Sequence, residues 1–202
     1  GCGDGIYINT AGVGEMIEGV DIAPTNIKAG MDIIVSGTLG DHAATIMAAR
    51  HNLTLPQGIM SDSAPLCHLT AAMLAAAPTI AVLRDPTRGG VAASLNELAA
   101  AAHVGILLDE AAIPVRPAVQ GVCDLLGFDQ LTLANEGKLL AFVPPADTAR
   151  VLAVMHEDPH GREACVIGQT TAEEPGTVGL RTALGGIRIV DLPLGELVPR
   201  IC

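Results

Sequence analysis

The segment LRDPTRGGV at 83–91 combines residue types that could bind a phosphate group. Asp85 follows a predicted strand, and Gly89 and Gly90 begin a predicted helix. Backbone N–H groups exposed at a helix N-terminus form an anion site together with the helix dipole, while Asp85 could bind Mg²⁺ and Arg88 could contact the phosphate. The alternative is an ordinary strand-to-helix turn with a capping Asp. A Walker A loop is excluded because no GK[ST] follows.

A second glycine-rich turn, SGTLGDH at 36–42, also lies between a predicted strand and a predicted helix. Asp41 is predicted to cap this helix, because Asp is a preferred N-cap residue. His42 could carry a proton to or from a substrate. The alternative is a tight turn in which His42 has a structural role.

A third turn, ANEGK at 134–138, comes directly before an apolar strand. Glu136 and Lys138 are two residues apart, so their side chains would point to the same side if the strand began early. Glu136 could then act as a general base. A solvated turn before a strand is the alternative.

The chain ends in VPRIC, which places a thiol, Cys202, on the last residue. A prenylation signal is excluded because it needs three residues after the Cys. Residues 191–202 contain two prolines and a glycine and show no helical or strand period, which predicts an extended arm of at most about 40 Å. Such an arm could present the thiol to another site, and an incidental terminal Cys is the alternative.

The elements that must position these groups follow from periodicity and turn residues. Strands are predicted at 6–9, 33–36, 80–83, 106–108, 138–143, 166–170, 178–182 and 187–190. Helices are predicted at 42–51, from Ser63 to before Pro78, and at 90–103, 118–126 and 146–155. This alternation, which ends in consecutive strands, indicates an α+β or mixed α/β layer structure.

Composition excludes several classes of protein. The net charge of −11 argues against binding to a nucleic-acid backbone, and a chain with one Tyr, two Phe and no Trp offers no platform for base stacking. Its longest apolar stretch is too short to span a bilayer. The five scattered cysteines contain no CxxC pair, which favours a reducing compartment. We therefore predict a soluble, cytoplasmic protein with a core of Ala, Leu, Val and Ile.

Taken in order, DGIYINTAGVG, IVSGTLGDHAATI, RDPTRGGV, ANEGK and a terminal PRIC closely resemble the HypE family of hydrogenase maturation proteins. This family is part of the superfamily of aminoimidazole ribonucleotide synthetase (PurM), selenophosphate synthetase and thiamine-monophosphate kinase, whose other members lack PRIC. The resemblance implies an α+β fold, with a PurM C-terminal-like domain of mixed sheet and helices at 26–190. It further implies that 1–25 is a remnant of the PurM N-terminal-like domain, that 191–202 is a flexible arm, and that the full-length protein is a homodimer.

The family chemistry implied by this resemblance is ATP-dependent dehydration of a carbamoyl group on the terminal Cys. The product is a thiocyanate, the source of the cyanide ligands of the iron in [NiFe]-hydrogenase. Cys202 would accept the carbamoyl group from HypF and pass cyanide to the HypC–HypD complex. The implied roles of the other residues are Mg²⁺ binding for Asp85, phosphate contact for Thr87, Arg88, Gly89 and Gly90, general base for Glu136, charge partner for Lys138, and a further catalytic candidate, His42.

In the family, residues upstream of this chain supply further Mg²⁺ and phosphate ligands and a catalytic Lys. We therefore expect this chain alone to bind ATP weakly or not at all. Two other functions stay open. One is a non-catalytic interaction domain that presents its tail to partners, and the other is a PurM-like kinase or synthetase acting on a free small molecule, which would need no thiol arm.

Overall fold

A computed structural model describes residue 5 and residues 8–9, 11–52, 54 and 59–193. In these residues one mixed sheet has seven strands, in the order β2-β4-β1-β5-β3-β6-β7. All neighbours are antiparallel except β3 and β6, which are parallel. The strands are β1 (Asp32–Val35), β2 (Val82–Arg84), β3 (Gly105–Asp109), β4 (Leu140–Val143), β5 (Cys165–Thr171), β6 (Val178–Arg181) and β7 (Ile187–Ile189).

Helices cover both faces of this sheet. They are α1 (Asp41–Arg50), α2 (Cys67–Ala76), α3 (Gly90–Ala102), α4 (Pro117–Leu126) and α5 (Pro145–Glu157), with short 3-10 turns at Pro24–Asn26, Glu110–Ala112 and Gln130–Thr132. Helix α3 packs on one face, α2 and α5 pack on the other, and α1 packs against α4 in a separate apolar cluster. None of the helices in the described part of the chain has the length and apolar character needed to cross a membrane.

The central strands β1 and β4 are buried along their whole length, because both of their faces are covered. Ile33 and Val35 contribute to the core under α3, whereas Ile34 contributes to the core under α2 and α5. This alternation follows from the two-residue period of a strand. Phe142 in β4 is the largest fully buried side chain.

The predicted α+β fold is confirmed, and most predicted elements agree with the structure to within two residues at each end. The predicted start of the second helix at Ser63 is wrong, because α2 begins at Cys67. The residues before α2 instead contact the turn before β4, where Asp62 accepts a hydrogen bond from the backbone of Glu136. Of the predicted strand at 6–9, residues 6 and 7 lie outside the described residues, and residues 8 and 9 are not part of a strand. The domain boundaries at 25 and 190 stay predictions.

The predicted capping role of Asp41 is also wrong. The N-cap residue of α1 is Gly40, which makes no side-chain capping bond, and Asp41 is the first residue of the helix. The buried Asp41 carboxylate instead accepts a hydrogen bond from Thr38 Oγ1 and lies 3.4 Å from Arg116 Nε. Asp41 therefore links the start of α1 to the residue that precedes α4.

Replacement of Phe142 tests the aromatic-poor core. We expect Phe142→Ala to lower the free energy of unfolding by about 3–5 kcal/mol, because the small core side chains around it cannot fill the cavity. Phe142→Leu keeps most of the volume and should cost less than about 1.5 kcal/mol. Urea denaturation of both variants measures the difference, and equal losses would contradict this account of the core.

Candidate functional site

Two helices of the described structure begin at glycines. Gly40 precedes α1 with φ 82°, and Gly89 and Gly90 lead into α3 with φ values of 67° and 64°. The N-cap glycines offer no side-chain acceptor to the N–H groups of either first turn, and Gly90 N–H donates a long bond of 3.4 Å to Thr87 O. Such groups favour a bound anion. The backbone at Gly89 and Gly90 is therefore compatible with the predicted phosphate site.

Both glycine turns pack closely on the segment 131–135. A Cβ atom at Gly90 would lie 2.5 Å from the carbonyl oxygens of Leu131 and Leu133. A Cβ atom at Gly40 would lie 2.9 Å from Leu133 Cδ1. Because both glycines also have positive φ, any other residue there would be strained as well as crowded. Glycine thus lets the N-termini of α1 and α3 approach the same stretch of chain.

The side chain of Asn135 connects these turns by hydrogen bonds. Its Oδ1 accepts a bond from the backbone N–H of Gly40 at 2.8 Å. Its Nδ2 donates to the carbonyl oxygens of Pro86 at 3.2 Å and Leu133 at 2.9 Å. The backbone N–H of Asn135 also donates to Pro86 O. Asn135 is fully buried, so Gly40 N–H and Leu133 O would lose their described partner without its side chain, whereas Pro86 O would keep the backbone bond.

Residues 61–62 join His42 to Glu136. His42 is buried, and its Nδ1 is hydrogen-bonded to Ser61 Oγ at 2.8 Å. Asp62 Oδ1 accepts a bond from the backbone N–H of Glu136 at 3.0 Å. A Cβ atom at Gly137 would lie 1.7 Å from the carbonyl oxygen of Asp62, so the two segments are in direct backbone contact. The structure therefore places the predicted residues His42 and Glu136 in one network.

Lys138 lies over the glycine-rich turn at 36–42. Its Cε and Nζ atoms are each 3.5 Å from the position that a Cβ atom would take at Gly37. The side chain of Lys138 is half-buried, whereas that of Glu136 is exposed. Ser36 fixes this crossing, because its backbone N–H donates to Leu139 O and its hydroxyl accepts from Leu139 N–H. A half-buried ammonium group and an exposed carboxylate thus lie two residues apart in the same turn.

Asp85 lies in the turn before α3 and is exposed. Thr87 Oγ1 donates a 2.8 Å hydrogen bond to Asp85 Oδ2, and Arg88 is exposed on the same turn. The described residues contain no cluster of three or more His, Cys, Asp or Glu side chains that could hold a metal. A single carboxylate such as Asp85 still fits Mg²⁺, which often takes one or two protein carboxylates and completes its shell with phosphates and water.

The proposed carrier Cys202 lies outside the described residues, as does most of the predicted arm. The first arm residues, 191–193, follow β7 without helix or strand structure. Pro193 Cγ lies 3.6 Å from the position of a Cβ atom at Gly89. The arm therefore begins next to the turn that carries the predicted phosphate site.

Sequence reasoning missed three residues of this site. Asn135 is part of the motif ANEGK, but its ionisable neighbours Glu136 and Lys138 carry the more obvious chemical signal. A polar side chain between Leu133 and an apolar strand was the available signal, since a buried Asn must satisfy its own amide. Ser61 and Asp62 stand in a polar run before α2, which a sequence pattern does not distinguish from a solvated loop.

Two of the described cysteines are poor nucleophiles. Burial, together with the nearby Asp124 and Asp129 carboxylates, raises the pKa of the Cys123 thiol to about 11. Burial also raises the pKa of Cys165. Because the thiolate is the reactive form, neither side chain competes well with an accessible thiol.

The family model described as AIR synthase related protein, C-terminal domain, matches residues 28–181. The chain belongs to this family. A curated member with a related sequence, carbamoyl dehydratase HypE of Rhodobacter capsulatus, is 50% identical over 202 residues, which make up 100% of this chain and 59% of the relative. The chain thus spans less than two thirds of the length of that relative. The resemblance to HypE that the motifs predicted is confirmed.

Solved structures of HypE also share this AIR synthase-related fold. A HypE structure in complex with ATP has a TM-score of 0.83 and 40% identity, and the match covers 90% of this chain and 55% of that chain. A HypE–HypF complex has a TM-score of 0.82 and 39% identity, covering 87% of this chain and 57% of that chain. The predicted PurM C-terminal-like fold is therefore confirmed.

Removal of the Asn135 amide tests its structural role. Asn135→Ala would leave Gly40 N–H and Leu133 O without their described partner, while Pro86 O would keep its bond from the backbone N–H of residue 135, and each buried unsatisfied group costs about 1–3 kcal/mol. We expect a loss of at least about 2 kcal/mol in denaturant unfolding and faster hydrogen exchange at the Gly40 amide. In the control Asn26→Ala, an exposed amide loses one bond to Asp21 O and should change stability by less than about 1 kcal/mol.

The thiols should differ strongly in their reaction with iodoacetamide at pH 8. Exposed Cys67 should be alkylated in the folded protein, while Cys123 should stay unmodified until denaturant is added. Between pH 9 and 11 the unfolded chain loses the Cys123 proton while the folded chain keeps it, so this group makes folding less favourable as pH rises. Mass mapping of alkylated peptides gives the result, and labelling of folded Cys123 as fast as Cys67 would contradict its burial.

Proposed function

We propose that this chain carries the C-terminal domain chemistry of a carbamoyl dehydratase in [NiFe]-hydrogenase maturation. The observation that carries the proposal is the convergence, through Asn135, of the phosphate turn at 86–90 and the Glu136 turn. It is supported by the 50% identity to HypE dehydratase along the whole chain. Both turns are needed together, because dehydration requires phosphoryl transfer to the oxygen and proton removal from the nitrogen of the same carbamoyl group.

The proposed reaction starts from an S-carbamoyl group on Cys202. Its carbonyl oxygen attacks the γ-phosphorus of ATP, the bond to ADP breaks, and the carbamoyl nitrogen loses one proton. Loss of the second nitrogen proton then accompanies cleavage of the C–O bond, which releases phosphate and leaves the S–C≡N group. One water is removed from the carbamoyl group in total, and its oxygen leaves in the phosphate.

Each described residue has a role in this proposal that its position allows. The N–H groups at Gly89 and Gly90 bind phosphate oxygens, with Thr87 and Arg88 on the same turn. Glu136 removes the nitrogen proton, because its exposed carboxylate is free to approach a substrate.

The remaining groups of the proposed site act on charge and orientation. The half-buried Lys138 balances the negative charge that develops on the phosphoryl oxygens. His42 acts through Ser61 and the adjacent Asp62, so it orients the Glu136 turn. Asp85 would hold Mg²⁺, which would neutralise phosphate charge.

The proposed partners follow the relatives. A HypE–HypF complex has been solved, and we propose that a HypF protein donates the carbamoyl group to Cys202. The cyanide would pass to a HypC–HypD complex, and the full-length protein would be a cytoplasmic homodimer. ATP binding is supported by the HypE–ATP structure, to which this chain is 40% identical.

Replacement of Glu136 tests the proposed base. In the full-length protein with HypF, carbamoyl phosphate and ATP, Glu136→Gln should slow loss of water from the Cys202 adduct by about a hundredfold or more. The carbamoyl adduct should then accumulate, because Gln keeps the backbone bond to Asp62 but cannot accept the proton. Intact-protein mass spectrometry against time separates the carbamoyl and thiocyanate forms.

Two controls accompany this measurement. Glu157→Gln makes the same charge change at an exposed site on α5 and should leave the rate unchanged. Cys202→Ala should abolish the adduct. A dehydration rate that is normal in Glu136→Gln would remove Glu136 from the mechanism, and an adduct that persists in Cys202→Ala would refute the proposed carrier. Transfer of the adduct to partners without any ATP-dependent loss of water would instead favour a non-catalytic interaction domain.

A further inference from the structure

The start of the C-terminal arm is held against helix α3. Val190 is the last buried residue before the arm, with 3% of its surface exposed, and its N–H donates to Val178 O. Its carbonyl oxygen accepts a 2.8 Å hydrogen bond from Asn96 Nδ2 on the second turn of α3. The same Nδ2 donates to Ala92 O at 2.9 Å, which orients the amide along the helix. Asn96 thus joins the arm to the helix that carries the phosphate turn.

Burial alone does not hold the residues that follow. Asp191 and Leu192 are exposed, with 53% of the Leu192 surface accessible. These residues border an open groove of about 630 Å³ lined by Asp129, Thr132 and Arg188–Pro193. The groove adjoins the glycine turn, because Pro193 Cγ lies 3.6 Å from the position of a Cβ atom at Gly89 and Thr132 C lies 2.8 Å from that at Gly90. The course of residues 191–193 along this groove therefore depends on where the preceding residue, Val190, is held.

We propose that Asn96 is a positioning residue for the arm. Its hydrogen bond holds the Val190 carbonyl on α3. Residues 191–193 then lie beside the Gly89 turn, and the rest of the arm starts from this point. Cys202 lies nine residues after Pro193 in the sequence, so its distance from the start of the arm is at most about 30 Å. Departure beside Gly89 therefore keeps the Cys202 thiol at high effective concentration over the phosphate turn. The functional meaning of this concentration rests on the proposed dehydration.

Disulfide trapping measures this concentration without nucleotide, partner or turnover. Thr87→Cys in a Cys2→Ser, Cys67→Ser background places a reporter thiol on the phosphate turn. The rate of disulfide formation between Cys202 and this reporter, in a glutathione redox buffer, gives the intramolecular rate. The intermolecular rate comes from the same protein with Cys202→Ser and the free peptide LGELVPRIC. The ratio of the two rates is the effective concentration, and it corrects for any change in the reporter itself.

Asn96→Ala should lower this effective concentration by about two- to tenfold, the range that corresponds to one net hydrogen bond. The intermolecular rate should not change. A general loosening of the Gly89 turn would instead change this rate. Gln120→Ala is the matched control, because it removes a helix-surface amide that bonds only to Asp124 among the described side chains. Its ratio should equal that of the parent.

A second variant keeps the test decisive if Asn96→Ala does not fold. Pro193→Gly removes the contact with Gly89 and frees the arm without altering α3, so it should also lower the ratio. An unchanged ratio in Asn96→Ala, or an equal fall in Gln120→Ala, would overturn the proposal. If the ratio falls as expected but the full-length protein never dehydrates a carbamoyl adduct, the arm is positioned as inferred and the proposed function is wrong.

Discussion

One buried amide, that of Asn135, determines whether the groups of the candidate site lie together. Its oxygen accepts a hydrogen bond from Gly40 N–H at the start of α1, and its nitrogen donates hydrogen bonds to the turn before α3 and to its own segment. An amide suits this position because it both accepts and donates, and the three partners include one N–H and two carbonyls. A carboxylate could not donate, and a hydroxyl could not reach all three. The apolar cores position the helices, but the amide positions their N-termini relative to the Glu136 turn.

The sequence predicts most helices and strands, but it does not predict the tertiary contacts between the turns that connect them. Apolar periodicity predicts α3, because one face of this helix must be apolar to pack. The start of α2 was misplaced because Ser63 and Pro65 form a good local helix start, whereas the tertiary contact of Asp62 with the Glu136 turn keeps those residues out of the helix. Local signals of capping cannot include a partner about seventy residues away in the chain.

The same limit applies to the site residues. The motifs contained Glu136 and Lys138, since ionisable groups beside a glycine are visible in a sequence. They could not show that Lys138 crosses Gly37, which depends on how Ser36 pairs with Leu139. The net charge of −11 gave no indication of an anion site either. At physiological ionic strength charges are screened beyond about 8 Å, so N–H groups at a helix start outweigh distant carboxylates.

A substrate carried on the protein's own chain imposes a constraint that a free substrate does not. Its local concentration depends on the length of the arm and on the point where the arm departs, not on the amount of substrate in solution. In the proposed reaction, helix α3 would meet this constraint through its first two turns. Gly89 and Gly90 form the proposed phosphate turn at its start, and Asn96 donates to the Val190 carbonyl nearly two turns later. Because a helix is stiff over so short a distance, any displacement of α3 moves the phosphate turn and the arm root together, and the distance between them is preserved.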